Sequence, residues 1–252
     1  MRANHQRGFT LLEIMIAMTI GLFISGALVT LVQSNMRVFL NQNQLEQMQD
    51  AQRMAMTLMA DVIQSAGYFP DPTTNTATGT LLAAGAFANS QAIASAPAVP
   101  ILGDTILVRY MTAPQDGILN CSGLQNQNPV GGANILYTNQ FSIVNNASGV
   151  GQLTCNLTVG ATVTPYTLVS GVTNLTVFYG VKTNIGAAGN NVDTYIPASL
   201  MTAANWQSVI SVLIKLQFTN PLYDGTGPGH VQPQFITIQR VVDVMNQTGP
   251  VT

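Results

Sequence analysis

The chain has 252 residues, of which 47% are hydrophobic and only 7% are charged, and its formal net charge is −2. This hydrophobic content excludes an intrinsically disordered chain, which combines low hydrophobicity with high net charge. Nucleic-acid-binding proteins neutralise phosphates with an excess of lysine and arginine, and no such excess is present. We therefore expect no direct nucleic-acid binding.

The first predicted element is a membrane-length apolar segment at residues 9–32, preceded by a basic stretch that contains Arg2, His5 and Arg7. A helix of this length spans about 36 Å, enough to cross a hydrocarbon core of about 30 Å. A secretory signal would be shorter, with an apolar region of about 7–15 residues. Because the positive charge precedes the segment, we expect a cytoplasmic amino terminus and an exported remainder.

Glu13 is the only charged residue within this apolar segment. A carboxylate in a membrane-spanning helix costs about 2.5–3.5 kcal/mol at mid-bilayer on insertion scales, and less near the interface. Such a group is more often functional than incidental, and a positively charged partner would neutralise it. The alternative is an ordinary single-span anchor whose glutamate reaches the lipid headgroups.

The helical pattern continues beyond the apolar segment. From Gln33 onward the sequence is more polar but keeps apolar residues at spacings of three, four and seven, which is typical of a helix with one buried face. Gly67 and then Pro70 provide a C-cap and a stop signal. We predict one helix over residues 9–67, apolar all round in its first half and amphipathic in its second.

The remainder of the chain is predicted to be β-rich. Residues 70–100 contain many Thr, Ala, Asn and Pro residues with little periodicity, which favours a surface loop. Short β-branched segments separated by turn residues follow, and with some 180 residues after the helix one domain can bury a core. The predicted strands are 105–110, 140–144, 152–158, 173–179, 209–218 and 234–244.

The two cysteines, Cys121 and Cys155, both lie in the part predicted to be exported. In an oxidising compartment we expect them to form one disulfide, worth about 3–4 kcal/mol in the chain-entropy model, with free thiols as the alternative. A metal site would need more ligands, and the two histidines, His5 and His230, lie far away. We predict no metal site and no cofactor.

Motifs of catalysis are missing from the sequence. It contains no Gly-x-Ser-x-Gly, no His-Glu-x-x-His and no cysteine beside a histidine. The glycine-rich stretch 225–230 lacks the Gly-Lys-Ser/Thr of a phosphate loop and is predicted to be a turn. We therefore predict no catalytic residue and no enzymatic activity.

The run Gly8-Phe9-Thr10-Leu11-Leu12-Glu13 resembles the class III signal of type IV prepilins and pseudopilins. The resemblance implies that a prepilin peptidase cuts between Gly8 and Phe9 and that Phe9 becomes the N-methylated first residue. It implies that Glu13 is the assembly glutamate, which sets register by meeting the amino group of Phe9. The implied division is a leader at 1–8, the long helix at 9–67 with its transmembrane part at 9–32, and a periplasmic or extracellular head at 68–252.

Four further segments resemble PilW-like minor pilins in their order and spacing: 48–68, 103–110, 169–180 and 205–212. The implied fold is α+β, a type IV pilin fold with the long N-terminal helix packed on a mostly antiparallel β-sheet head. The implied function is that of a minor type IV pilin, which helps to prime pilus assembly in a tip complex and supports twitching motility, adhesion or DNA uptake.

The same resemblance implies partners and a location. The partners are other minor and major pilins, contacted through the N-terminal helix, together with the prepilin peptidase and the inner-membrane assembly platform. The protein would lie in the inner membrane and then in the pilus at the cell surface. Two alternatives remain: a pseudopilin of type II secretion, or a membrane-anchored periplasmic binding protein or enzyme.

The sequence departs from these relatives at one loop. PilW-like proteins often carry an acidic, glycine-rich loop after the Tyr-Gly pair that is Tyr179-Gly180 here. In this chain residues 186–191 are uncharged and Asp193 stands alone nearby. We therefore predict no calcium site in this loop.

Overall fold

The computed structural model describes residues 10–96, 102–184, 191–223, 225 and 231–245. Its elements in chain order are α1 (Leu11–Gln64), α2 (Ala77–Thr80), β1 (Ile93–Ala94), β2 (Ile106–Thr112), β3 (Ile135–Asn145), β4 (Gly151–Val159), β5 (Thr162–Ser170), β6 (Val172–Val181), β7 (Thr194–Pro197), a 3-10 helix (Ala198–Leu200), α3 (Ala203–Gln207), β8 (Val209–Thr219) and β9 (Phe235–Asp243). The chain forms two compact units, Met1–Gln47 and Met48–Thr252, and α1 contributes to both.

The first compact unit consists, in its described part, of α1 up to Gln47. Every side chain from Thr10 to Gln44 is exposed, and α1 is long and apolar enough to cross a membrane by length and composition. A helix suits the interior of a membrane because its main-chain N–H and C=O groups form hydrogen bonds within the segment.

The last part of α1 belongs to the second compact unit and supplies one side of its core. Ala55, Met59 and Ile63 are fully buried there, and their spacing of four places them on one helix face. The helix ends at Gln64, and Gly67 follows with a φ of +77° that glycine adopts without strain. The N–H of Gly67 donates to the carbonyl of Arg109, which ties the end of the helix to β2.

The described residues of the head form two sheets in which all neighbouring strands are antiparallel. One has the order β1-β2-β3-β4-β5 and the other the order β7-β6-β8-β9. The six predicted strands correspond to β2, β3, β4, β6, β8 and β9. The prediction missed β1 and β7, which are very short, and β5, which contains Pro165 and is largely exposed. The segment 70–100 was expected to be a loop, but it contains the short elements α2 and β1.

Both sheets contribute to one hydrophobic core together with the end of α1. β4 shows the underlying pattern, because Leu153, Cys155 and Leu157 are buried while the residues between them are half-buried. Alternation of this kind follows from the two-residue period of a strand, which turns successive side chains to opposite faces. The inner faces of β3, β6 and β8 are buried in the same way.

A short segment before β2 joins the two sheets. Gly103 forms a parallel bridge with Leu175 of β6, and the N–H of Asp104 donates to the carbonyl of Leu175 over 2.7 Å. Gly103 has a φ of +94°, and a Cβ at this position would collide with the carbonyl oxygen of Leu175. Glycine is therefore required for this close approach of two main chains.

Candidate functional site

The predicted processing residues Gly8 and Phe9 lie outside the described residues. Their roles as cleavage site and methylated residue stay predictions. The described part of the candidate assembly site begins at Thr10, and it contains the predicted assembly residue Glu13.

Thr10 and Glu13 form a reciprocal cap at the start of α1. The N–H of Glu13 donates to Thr10 Oγ1 over 3.3 Å, while the N–H and the hydroxyl of Thr10 both donate to Glu13 Oε2 over 3.1 Å. This is a capping box, which satisfies two main-chain donors that the first turn of a helix leaves unpaired. The carboxylate also lies at the helix end where the dipole favours negative charge.

The sequence reasoning missed this cap although a signal for it was present. The order Thr10-Leu11-Leu12-Glu13 matches the Ser/Thr-x-x-Glu signature that marks a helix start before an apolar run. Glu13 therefore has a local structural partner in addition to its predicted role in assembly. It is held at a fixed position in the first turn of the helix.

The segment that follows Glu13 presents apolar side chains on all sides. Leu22 is 77% exposed and Phe23 is 82% exposed. The hydroxyls of Thr19 and Thr30 donate to carbonyls of the preceding turn, so these polar groups are satisfied within the helix. Such a surface requires a nonaqueous environment, either lipid or other apolar helices.

The disulfide between Cys121 and Cys155 is present in the head, as the sequence predicted. It joins the long segment between β2 and β3 to β4, and both cysteines are fully buried. The N–H of Cys121 also donates to the side chain of Asn139 on β3 over 2.9 Å. The disulfide and this hydrogen bond fix the segment against the sheet.

Arg109 on β2 has a structural role that the sequence did not predict. Its side chain is only 1% exposed, and its guanidinium lies 4.5 Å above the ring centroid of Phe87. It donates hydrogen bonds to four main-chain carbonyls, those of Leu81, Leu82, Ala88 and Gln91. Burial lowers the pKa of Arg109 to about 10, so the group is charged at neutral pH. The buried charge fastens segment 81–91 to the sheet.

Two buried tyrosines lie on strands of different sheets in the head. The hydroxyl of Tyr110 on β2 donates to the carbonyl of Leu119 over 2.7 Å. Tyr179 on β6 packs edge-to-face against Trp206 of α3, with the ring centroids 4.7 Å apart. Burial raises the pKa of both phenols. Their environments are those of packing residues.

The carboxylate of Asp193 is occupied by its own loop. Asp193 Oδ2 accepts hydrogen bonds from the N–H groups of Asn184 and Thr183 over 3.0 and 2.9 Å. The bond from Asn184, followed by that from Thr183, lowers the pKa of the carboxyl. Among the described residues, no three His, Cys, Asp or Glu side chains lie close enough together to hold a metal ion. Residues 185–190, most of the loop where no calcium is predicted, lie outside those ranges.

An exposed apolar helix, capped in its first turn by Thr10 and Glu13, and a head of antiparallel sheets are consistent with an α+β type IV pilin fold. Residues 3–29 match the family described as the prokaryotic N-terminal methylation motif. Residues 140–240, from β3 to β9, match the family described as Type IV Pilus-assembly protein W. The two matches support a PilW-like type IV minor pilin and confirm both the predicted resemblance and the predicted α+β pilin fold. No curated protein and no solved structure matches the chain.

These family matches also bear on chemistry, partners and location. They point to a structural protein and not to an enzyme. Type IV pilus-assembly proteins interact with other pilins and with the assembly machinery. The methylation motif and the apolar helix fit anchoring in the inner membrane and pilus assembly.

Proposed function

We propose that the protein is a minor pilin that helps to prime type IV pilus assembly from a tip complex, supporting twitching motility, adhesion or DNA uptake. The observation that carries the proposal is Glu13, a carboxylate held in the first turn of α1 within an exposed apolar segment, residues 10–32, that contains no other charged residue. The predicted head, residues 68–252, is large for a subunit repeated along a shaft, which supports a position at the filament end.

The proposed mechanism starts from the cost of an unpaired charge in a low-dielectric bundle. An ion pair there is strong only with good geometry, and a single unpaired member costs several kcal/mol. Cleavage after Gly8 would create a positive amino group on Phe9, four positions before Glu13. A subunit docked at the correct height places the two charges together, whereas a misplaced subunit leaves them apart. The pair would therefore act chiefly as a register device.

The capping box prepares Glu13 for this step. Its hydrogen bonds to Thr10 hold the carboxylate in the first turn before assembly, and caps of this kind are worth about 1 kcal/mol. Each carboxylate oxygen has two lone pairs. Glu13 can therefore keep its hydrogen bonds to Thr10 while it accepts a further hydrogen bond from the amino group of Phe9. Capping by Thr10 therefore leaves Glu13 able to accept a further hydrogen bond during assembly.

Glu13→Ala tests the proposal in cells. The variant should be cleaved and inserted in the membrane normally, but its amount in sheared pili should fall severely. Thr19→Ala is the matched control, because it removes a polar side chain of the same helix that bonds only to its own backbone. Normal piliation with Glu13→Ala would refute the proposal.

A second variant separates a pilin from a tethered periplasmic protein. Gly8→Val should accumulate as an uncleaved precursor if the prepilin peptidase acts at this position. An anchor would be indifferent to the change. Deletion of the protein then separates pilus from secretion machinery, through loss of twitching or DNA uptake in the first case and loss of exoprotein release in the second.

A further inference from the structure

The outer edges of the two sheets differ in how far they are protected against pairing with another strand. An exposed edge strand has unpaired main-chain N–H and C=O groups. Short strands, prolines, bulges or charges at the edge prevent these groups from pairing with another chain. In the described head, the edge strands β1 and β7 are only two and four residues long. β5 contains Pro165 and pairs with β4 across a register shift. β9 has nine residues, no proline and an unbroken register with β8.

The main-chain groups of β9 that face this open edge can be assigned. The N–H of Val244 donates to the carbonyl of Ile210, and the N–H of Asn220 donates to the carbonyl of Gln234. Even-numbered positions of β9 are therefore hydrogen-bonded to β8, because bonded and non-bonded pairs alternate along an antiparallel ladder. The N–H and C=O groups of the odd-numbered positions point away from β8; these are Phe235, Thr237, Gln239, Val241 and Asp243. No other described residue is recorded as bonding to them.

Side chains along β9 define what kind of strand would fit. Ile238 packs partly against the core, while Val241 on the opposite face is 51% exposed. Arg240 lies in the same row as Ile238, is exposed, and forms no recorded ion pair with a described residue. An added strand would meet apolar side chains on both faces, the guanidinium of Arg240 in the middle of one face, and the carboxylate of Asp243 at the end of the other face.

We propose that β9 is a docking site for an extended, acidic segment of a partner polypeptide, which adds to the sheet as a further strand. The partner's main chain would bond to the odd-numbered positions of β9, and its alternate side chains would extend the two faces of the sheet. A carboxylate opposite Arg240 would pair with the guanidinium. Uncharged or basic strands would leave that charge unpaired, so Arg240 makes the edge selective.

Charge also distinguishes this partner from a second copy of the chain. When two β9 strands pair antiparallel about a two-fold axis, the corresponding faces of the two strands lie on the same side of the joined sheet. Each β9 residue is then paired with a residue from the same face of the other β9 strand. Arg240 and Asp243 are separated by an odd number of positions and lie on opposite faces. No such register pairs Arg240 with a carboxylate of β9, and the register centred on Arg240 sets two cations together.

The test measures binding by the purified full-length chain in detergent micelles. The probe is a fluorescent peptide, Val-Thr-Val-Thr-Glu-Thr-Val-Thr-Val, whose palindromic order makes both strand directions equivalent. The control peptide has Lys in place of Glu. By fluorescence anisotropy the Glu peptide should bind roughly fivefold tighter than the Lys peptide, the range of one exposed ion pair. Arg240→Glu should reverse this order.

A second pair of variants tests the edge itself. Gln239→Pro removes a main-chain donor that points outward and keeps the ladder to β8, so it should weaken the Glu peptide roughly tenfold. Gln239→Thr keeps the donor and should bind like the wild type. No binding at millimolar peptide, equal affinity for both peptides, unchanged binding by Gln239→Pro, or a dimer abolished by Gln239→Pro would each overturn the proposal. Because binding is measured in vitro, these outcomes leave the role of Glu13 in pili untouched.

Discussion

The carboxylate of Asp104 accepts a 2.8 Å hydrogen bond from the main-chain N–H of Val177, which links the segment before β2 to β6 of the other sheet. The N–H of Asp104 bonds in turn to the carbonyl of Leu175. These two bonds, together with the close approach that Gly103 permits, set the position of one sheet relative to the other. The head therefore has a polar clamp within the largely apolar contact between its two sheets.

Removal of this clamp should destabilise the head. Asp104→Ala leaves the N–H of Val177 without its acceptor and should lower the free energy of unfolding by about 1–3 kcal/mol. Asp104→Asn keeps a side-chain oxygen and should lose less. Urea denaturation followed by tryptophan fluorescence of Trp206 measures both. Equal losses in the two variants would contradict the role of the acceptor.

The buried guanidinium of Arg109 should be required for the order of segment 81–91. Arg109→Lys removes the planar fork that reaches four carbonyls, and we expect a loss of roughly 3 kcal/mol in the free energy of unfolding. Hydrogen exchange should accelerate in that segment. Arg240→Lys, at an exposed arginine, is the control and should change stability by less than about 0.5 kcal/mol. Unaltered exchange in Arg109→Lys would refute this role.

Loss of the disulfide should destabilise the head without altering membrane insertion. The double variant Cys121→Ser, Cys155→Ser should unfold with a free energy about 2–5 kcal/mol lower than the wild type. Reduction of the wild type with dithiothreitol should give a similar loss and should leave the double variant unaffected. A reductant effect of equal size in both proteins would exclude the disulfide as its cause.

Alkaline pH should weaken the head through its buried phenols. Burial raises the pKa of Tyr179 above the ordinary value near 10, so above pH 10 the unfolded chain loses a proton that the folded chain keeps. The contribution of the neutral Tyr179 phenol to the free energy of unfolding is complete below pH 10. It is lost as the pH rises above 10, at about 1.4 kcal/mol per pH unit. In urea titrations from pH 8 to 11, the stability difference between wild type and Tyr179→Phe should stay constant to pH 10 and then shift against the wild type. A stability difference between the two proteins that stays constant from pH 8 to 11 would contradict this role of the Tyr179 phenol.

The sequence determined what depends on neighbours along the chain. The apolar run after Glu13, the helical spacing beyond Gln33 and the absence of proline specify a long helix, since these signals act within a few residues. Six strands followed from local alternation for the same reason. β5 escaped because Pro165 and its exposed polar side chains remove the alternation of a buried strand.

The tertiary structure decided what depends on residues far apart. Nothing near Arg109 in the sequence indicates that its guanidinium is buried, because the carbonyls that it binds belong to segment 81–91. The link from Asp104 to Val177 and the division into two sheets likewise require pairing between distant segments. A sequence pattern reports the periodicity of one element, whereas the pairing of buried polar groups is settled only when two elements meet.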